Sequence, residues 1–205
     1  MPIRARVSSS YTIFYATFVL ATFAFFAVYY RANGNHNLKC AFSSVDGEHY
    51  CVRARSDLNR AVNLLARATA HCKRLVMHMD SKYPNRPEVQ RLARNFDPTV
   101  ISETLPTSEH TAYTENKGDA MAFCLNKHDK PGSRLIDLNT LTFVAIHELG
   151  HVMTESLGHK QEFWTNFKFL LENAIDIGIY RPIDYKKNPQ PFCGMTITDN
   201  PHYDM

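Results

Sequence analysis

The chain has 205 residues, 44% of them apolar, with 13 Phe and 10 Tyr, which can bury enough surface to offset chain entropy and so excludes a disordered polypeptide. Lys and Arg number 23 against 20 Asp and Glu, a net charge of +3, and no basic run or basic helix face stands out after residue 31. A dedicated nucleic-acid patch is therefore not expected, and the length suits one catalytic domain once an apolar N-terminal segment is set aside.

Residues 1–10 read as a short tail. Tyr11 to Tyr30 are twenty positions without a charge, which as a helix rising about 1.5 Å per residue spans a hydrocarbon core of about 30 Å. Tyr11, Tyr15, Tyr29 and Tyr30 lie near its ends, where amphipathic rings prefer the interface, and Arg4, Arg6 and Arg31 flank it. A buried helix rarely lacks a polar face over such a length, and a cleaved signal has a shorter apolar core with a small-residue cleavage site. The segment is read as a retained transmembrane anchor, with the lipid bilayer as a partner and a single-pass location in a host or virion membrane. The slight excess of positive charge before it favours a cytoplasmic N-terminus.

Residues 31–52 are polar and contain Asn and Gly (RANGNHNLKC), the composition of a stalk, so the catalytic domain is expected over 53–205. Ser56 or Asp57 then caps a run in which Leu58, Val62, Leu65, Thr69, Cys72, Val76 and Met79 recur at three- and four-residue intervals, predicting a long amphipathic helix that stops before Tyr83-Pro84. Pro87 suits the first turn of a short helix through Phe96. Residues 111–125 (TAYTENKGDAMAFCL) predict a hairpin around Asn116-Lys117-Gly118. Asp137 or Asn139 caps the next helix, with Leu141, Val144, Ala145 and Leu149 apolar and Gly158 marking its end or a break. A last helix runs from about Gln161 to Ile179, with Phe163, Phe167, Leu170 and Leu171 on one side, stopped by Arg181-Pro182. The tail from Asp184 onward, with little periodicity, is assigned to coil.

Five cysteines (Cys40, Cys51, Cys72, Cys124, Cys193) lie far apart with no C-x-x-C pair, so they do not spell a structural zinc site. The odd count leaves at least one thiol unpaired. Position favours Cys40 with Cys51, either side of a turn at Asp46-Gly47, in an oxidising compartment.

The chemistry concentrates at His147-Glu148-Leu149-Gly150-His151, an H-E-x-x-H arrangement inside a segment that caps and periodicity already make helical. Histidines at i and i+4 project from one helix face and can reach a single ion at the roughly 2.0–2.1 Å that zinc requires. Glu148, one residue beyond the first, is placed to take a proton from a water activated by that ion. A catalytic zinc usually has three protein ligands, and two candidates compete for the third. His159 follows Gly158, where a permissive backbone can turn the chain back. Glu172 lies on the following helix with Asp176 four positions on, an E-x-x-x-D spacing that resembles thermolysin-type enzymes. Spacing alone leaves both open.

The stretch H-E-L-G-H followed by G-H-K-Q-E-F-W (Gly158 to Trp164) resembles the WLM and SprT-like zinc metallopeptidases, in which a third His precedes a helix that begins with an aromatic pair. The run from Thr111 to Leu125, the I-D-L-N-T-L-T-F-V-A-I-H-E-L-G-H helix and the P-F-C-G-M-T-I-T-D-N-P tail (Pro191 to Pro201) are similar to WLM-like proteins of large DNA viruses, a likeness covering most of residues 55–203. The departure is spacing: Val152 to Gly158 put seven residues between the second and third His, where that family usually has fewer. The resemblance implies a zincin-like α+β fold, a small and mainly antiparallel sheet packed on the metal-binding helix. It also implies Zn2+ held by His147, His151 and His159, with Glu148 as general base.

The expected activity is zinc-dependent hydrolysis of peptide bonds in a protein or peptide substrate, with the hairpin as a strand along which an extended peptide aligns. The rival, from another class, is a membrane-anchored structural or binding protein of a virion or envelope that keeps the zinc-site fold without turnover. His36, His49, His71, His78, His110, His128 and His202 have no ligand spacing and are read as exposed or hydrogen-bonded. Glu103 and Glu155 are read as surface carboxylates, and Tyr113, Tyr185 and Tyr203 as packing aromatics.

Overall fold

The computed structural model describes residues 15–25, 38–128, 130 and 132–204. The chain divides into two units, 1–37 and 38–205.

In the first, residues 15–25 form a helix (α1) whose Tyr15, Phe18, Leu20, Phe23 and Phe25 are exposed. Among the described residues no helix is long and apolar enough to cross a membrane, so the expected transmembrane helix is not supported by them. Residues 11–14 and 26–30 of that expected span lie outside the described residues, as do the tail 1–10 and residues 31–37 of the expected stalk.

The second unit is a mixed α+β fold with small sheets. It begins earlier than the polar composition suggests. Strands β1 (Leu38–Phe42) and β2 (His49–Arg53) pair antiparallel with Cys40 opposite Cys51, and a disulfide joins the two. Tyr50 and Val52, alternate residues of β2, enter the core. The stalk assignment for 38–52 is thus corrected: only one face of β2 is apolar, and a five-residue strand beside a polar turn carries too few such positions to register against the Asn and Gly around it.

Helix α2 (Leu58–Lys82) buries the expected stripe, Val62, Leu65, Thr69, Cys72, Val76 and Met79. Asp57 stands at its start, but its side chain makes no capping bond. Helix α3 (Pro87–Asn95) begins on Pro87 and buries Val89 and Leu92. Strand β3 (Ile101–Glu103), too short for a readable alternation, runs parallel to β5 (Ala120–Phe123), and β5 pairs antiparallel with β4 (Ala112–Glu115) in the order β3-β5-β4. The predicted hairpin is therefore present, with Asn116 and Lys117 both left-handed in its turn and β4 on the sheet edge.

Helix α4 (Leu138–Met153) is capped by Asp137, whose carboxylate accepts the Thr140 N–H at 3.0 Å. It is the central element, with twelve of its sixteen residues buried between α2, α3, α5 (Gln161–Asp176) and the sheet. The tail is not wholly coil. Strands β6 (Gln190–Phe192) and β7 (Met195–Ile197) form a hairpin, and a second disulfide ties Cys193 to Cys124 just after β5. Cys72 is a free, buried thiol on α2.

Glu103 is not a surface carboxylate: it is 1% exposed. It accepts the Arg53 backbone N–H at 2.7 Å and pairs with the Arg55 guanidinium, which also donates to Asn126 Oδ1 at 2.7 Å. This network stitches β2 to β3 and to the segment after β5. Substitution Glu103→Gln removes the counter-charge from two largely buried arginines at constant volume, and the expected cost is about 3–5 kcal/mol. Chemical denaturation should show it as a lower midpoint with an unchanged slope; a parental midpoint would mean the pair is solvated. Arg53 and Arg55 also line a cleft of about 960 Å³ with Arg60, Lys127, Lys130 and Arg134, basic residues that the fold gathers from distant segments.

Candidate metal centre

Helix periodicity sets His147 and His151 one turn apart on the same half-buried edge of α4, with ring centroids 5.1 Å apart. After Met153 the chain leaves the helix in a loop that returns at Gly158, whose φ of 74° is left-handed. Arg91, which donates to the Met153 carbonyl at 2.7 Å and pairs with Glu155 at 2.9 Å, holds the start of that loop, and two further charged groups hold its middle. The Glu162 carboxylate, from the first turn of α5, accepts the Glu155 and Ser156 N–H groups at 2.8 and 3.0 Å, and these bonds keep its pKa below the usual carboxylate range. Lys117, from the β4–β5 turn, donates to the Ser156 carbonyl at 2.8 Å. The Trp164 indole N–H then donates to the His159 carbonyl at 3.1 Å.

The result is convergence. His159 Nε2 lies 3.1 Å from His151 Nε2 and 3.1 Å from His147 Nε2. Nitrogens bound at about 2.0–2.1 Å in a tetrahedral arrangement stand about 3.3–3.4 Å apart, so these two separations are close to the bite of one zinc ion, and the ligand atoms of all three rings lie within 4.8 Å of one another. Burial, then the rings of His151 and His159, hold the His147 pKa down to about 3. Burial, then His159 and Lys117, hold His151 down to about 4. Both rings are neutral at physiological pH, the form in which a nitrogen lone pair is free for a metal. Three converging imidazoles make a donor set that fits zinc.

Phe163 is the shared support. Its ring stacks on His151 at 4.4 Å and meets His147 at 4.8 Å and His159 at 4.7 Å, edge-on in both cases. Phe167, one turn on, contacts His147 at 5.2 Å. The helices can approach this closely because residue 150 is glycine: a Cβ there would fall 3.1 Å from Phe163 Cε2.

Glu148, which lines a cavity together with His147, is 4% exposed. Burial pushes its pKa up to about 7, against the lowering effect of the Thr114 hydroxyl, which donates to Oε2 at 2.9 Å. A carboxyl poised near neutrality and held in one orientation is suited to accept and return a proton.

Glu172 does not join this group. It is an exposed residue of α5 on a separate cavity with Arg86 and Lys168, and Asp176 sits 3.7 Å from Lys82. Among the described residues the other grouping of possible ligands is Cys40, His49 and Cys51, whose sulfurs are bonded to each other. Tyr185 is buried with its ring 4.8 Å from that of Phe143, and Tyr203 lies in a short 3-10 turn at the C-terminal end. Thr114 and the hairpin residues Phe192, Met195 and Ile197, which face the site, had no signal in spacing. Phe163 and Phe167 did, as an i, i+4 aromatic pair on the apolar side of α5.

No family model matches the chain, and no solved structure matches it. It is similar to an uncharacterized protein of Acanthamoeba polyphaga mimivirus, 31% identical over 115 residues, 56% of this chain and 57% of that protein. An uncharacterized protein of Invertebrate iridescent virus 6 is 36% identical over 69 residues, 34% of this chain and 38% of the relative. One of Invertebrate iridescent virus 3 is 35% identical over 86 residues, 42% and 52% respectively. The chain thus spans about half the length, or less, of the curated relatives it matches. These relatives belong to large DNA viruses, consistent with a viral origin, and their names carry no activity.

Proposed function

We propose that this chain is a zinc-dependent peptidase of the WLM-like kind. The observation that carries the reading is the meeting of three imidazole nitrogens, from His147, His151 and His159, beside a buried carboxyl oriented by Thr114. His147, His151 and His159 would hold Zn2+, which when bound supplies Lewis-acid chemistry, polarising a carbonyl and acidifying a water.

The rest falls to the chain itself. Glu148 accepts the proton of the attacking water as the C–O bond forms, then delivers it to the amine as the C–N bond breaks. Its burial and the bond from the Thr114 hydroxyl hold the carboxyl in one orientation for both transfers. Thr114 fixes Oε2 and leaves the other oxygen for the water. Thr114 belongs to the edge strand β4, whose free side offers backbone groups to an extended peptide, so a protein or peptide substrate suits the site. Residues 11–30 act as a membrane anchor in this reading. The two disulfides support a catalytic unit on the oxidising side, opposite a cytoplasmic N-terminus.

Full-length chain purified from membranes tests both halves. It should stay in the pellet on alkaline carbonate extraction, contain about one zinc per chain, and cleave members of a peptide library in a chelator-sensitive way. A chain that purifies without zinc and gains none on titration would remove the basis of the proposal.

A further inference from the structure

Beside the candidate metal centre lies a cavity of about 310 Å³ with a mainly apolar wall: Phe143 and Val144 from α4, Phe167 from α5, and Phe192, Met195 and Ile197 from the C-terminal hairpin. It is lined by His147 and Glu148 but not by His151 or His159. Its hairpin wall is a built feature. Cys193 is bonded to Cys124, its backbone N–H donates to the Asn126 carbonyl at 2.9 Å, and the Thr111 hydroxyl reaches the Met195 sulfur at 3.3 Å. Met195 nevertheless stays 50% exposed and Trp164 41% exposed, apolar surface left open next to polar chemistry.

We infer that this cavity receives the side chain of the substrate residue that supplies the leaving amine, and that the chain cleaves peptides on the N-terminal side of Leu, Met or Phe. The inference rests on the proposed hydrolysis and deepens it. Direction follows from Glu148. The carboxyl that protonates the departing nitrogen must lie next to it, so that nitrogen and its Cα stand beside Glu148, which with His147 lines the cavity. Chemistry follows from the wall. Its charged groups are Glu148 and Asp199, and Asp199 is already paired with Lys186 at 3.2 Å. An acidic side chain meets like charge there, a basic one finds no free partner in Asp199, and a large apolar one covers the exposed surface.

The test uses the full-length, zinc-loaded and oxidised chain in detergent. It is offered peptide mixtures randomised on both sides of the scissile bond and two peptidyl hydroxamates, one with an isobutyl group at the corresponding carbon and one with hydrogen. Cleavage before Leu, Met or Phe should exceed cleavage before Gly or Asp by about 10- to 100-fold, the range a filled apolar pocket provides, and the isobutyl hydroxamate should bind tighter by a similar factor. Met195→Asp, a change at an exposed position, should bring both preferences toward unity with zinc content unchanged. Cleavage without an apolar preference on that side overturns the subsite and leaves hydrolysis standing. If no peptide is cleaved, the hydrolytic reading fails and the hydroxamate pair judges the cavity alone: equal binding, or none, overturns it.

Discussion

Glu148→Gln is expected to lower kcat/KM for any peptide substrate by about 10²- to 10⁴-fold, the usual contribution of a positioned acid–base group, while zinc stays at about one per chain. Glutamine has nearly the volume of glutamate, which matters for a side chain 4% exposed, and its amide oxygen can still accept the Thr114 hydroxyl. What it cannot do is take a proton from water at neutral pH. Loss of hydrolysis with retained metal and retained thermal stability would assign the proton transfer to Glu148; hydrolysis at the parental level would exclude it from that role. The same variant addresses the structural alternative. If the biological function of the chain were intact in Glu148→Gln, the histidine cluster would serve architecture and not turnover.

Loss of the third imidazole should show in affinity before anything else. His159→Ala removes one of three converging nitrogens, and zinc binding should weaken by well over the roughly 10- to 100-fold typical of a lost outer-shell partner. Glu172→Ala and Asp176→Ala should bind zinc like the parent, because both residues lie away from the 3.1 Å nitrogen cluster. Titrations of the three variants in one buffer at one pH would decide the matter, since protons compete for the same nitrogens. Parental affinity in His159→Ala, or a large loss in Glu172→Ala, would mean that the chain coordinates zinc through a different residue.

The legible part of this protein is the part written in helices. Long stripes such as Leu58 to Met79 and the prolines at 84 and 87 fix α2 and α3 within a residue or so, the Asp137 cap fixes the start of α4, which ends at Met153 and not at the Gly158 break, and the H-E-x-x-H spacing places two imidazoles and one carboxyl on known faces of α4. What local pattern cannot carry is a return path. His159 reaches the other two histidines through a loop held by Glu162 and Lys117, one from the following helix and one from a turn almost forty residues upstream, so spacing left it level with Glu172. The three-residue strands β3, β6 and β7 are shorter than any period they could display. Glu103 looks like any surface acid until the fold closes Arg53 and Arg55 around it. The pairing of Cys124 with Cys193, 69 positions apart, is likewise a property of the tertiary fold.

Residue 150 occupies one of the two positions that the H-E-x-x-H pattern leaves unspecified, yet in this fold it is not a free choice. A methyl group there would stand 3.1 Å from the edge of Phe163, the ring on which all three imidazoles rest, a tight contact. Positions 150 and 163 therefore share one contact: a methyl group gained at the first requires the Phe163 ring to give by a few tenths of an ångström. Substitutions at these two sites are accordingly coupled, because any shift of the Phe163 ring is passed to the three imidazoles that contact it.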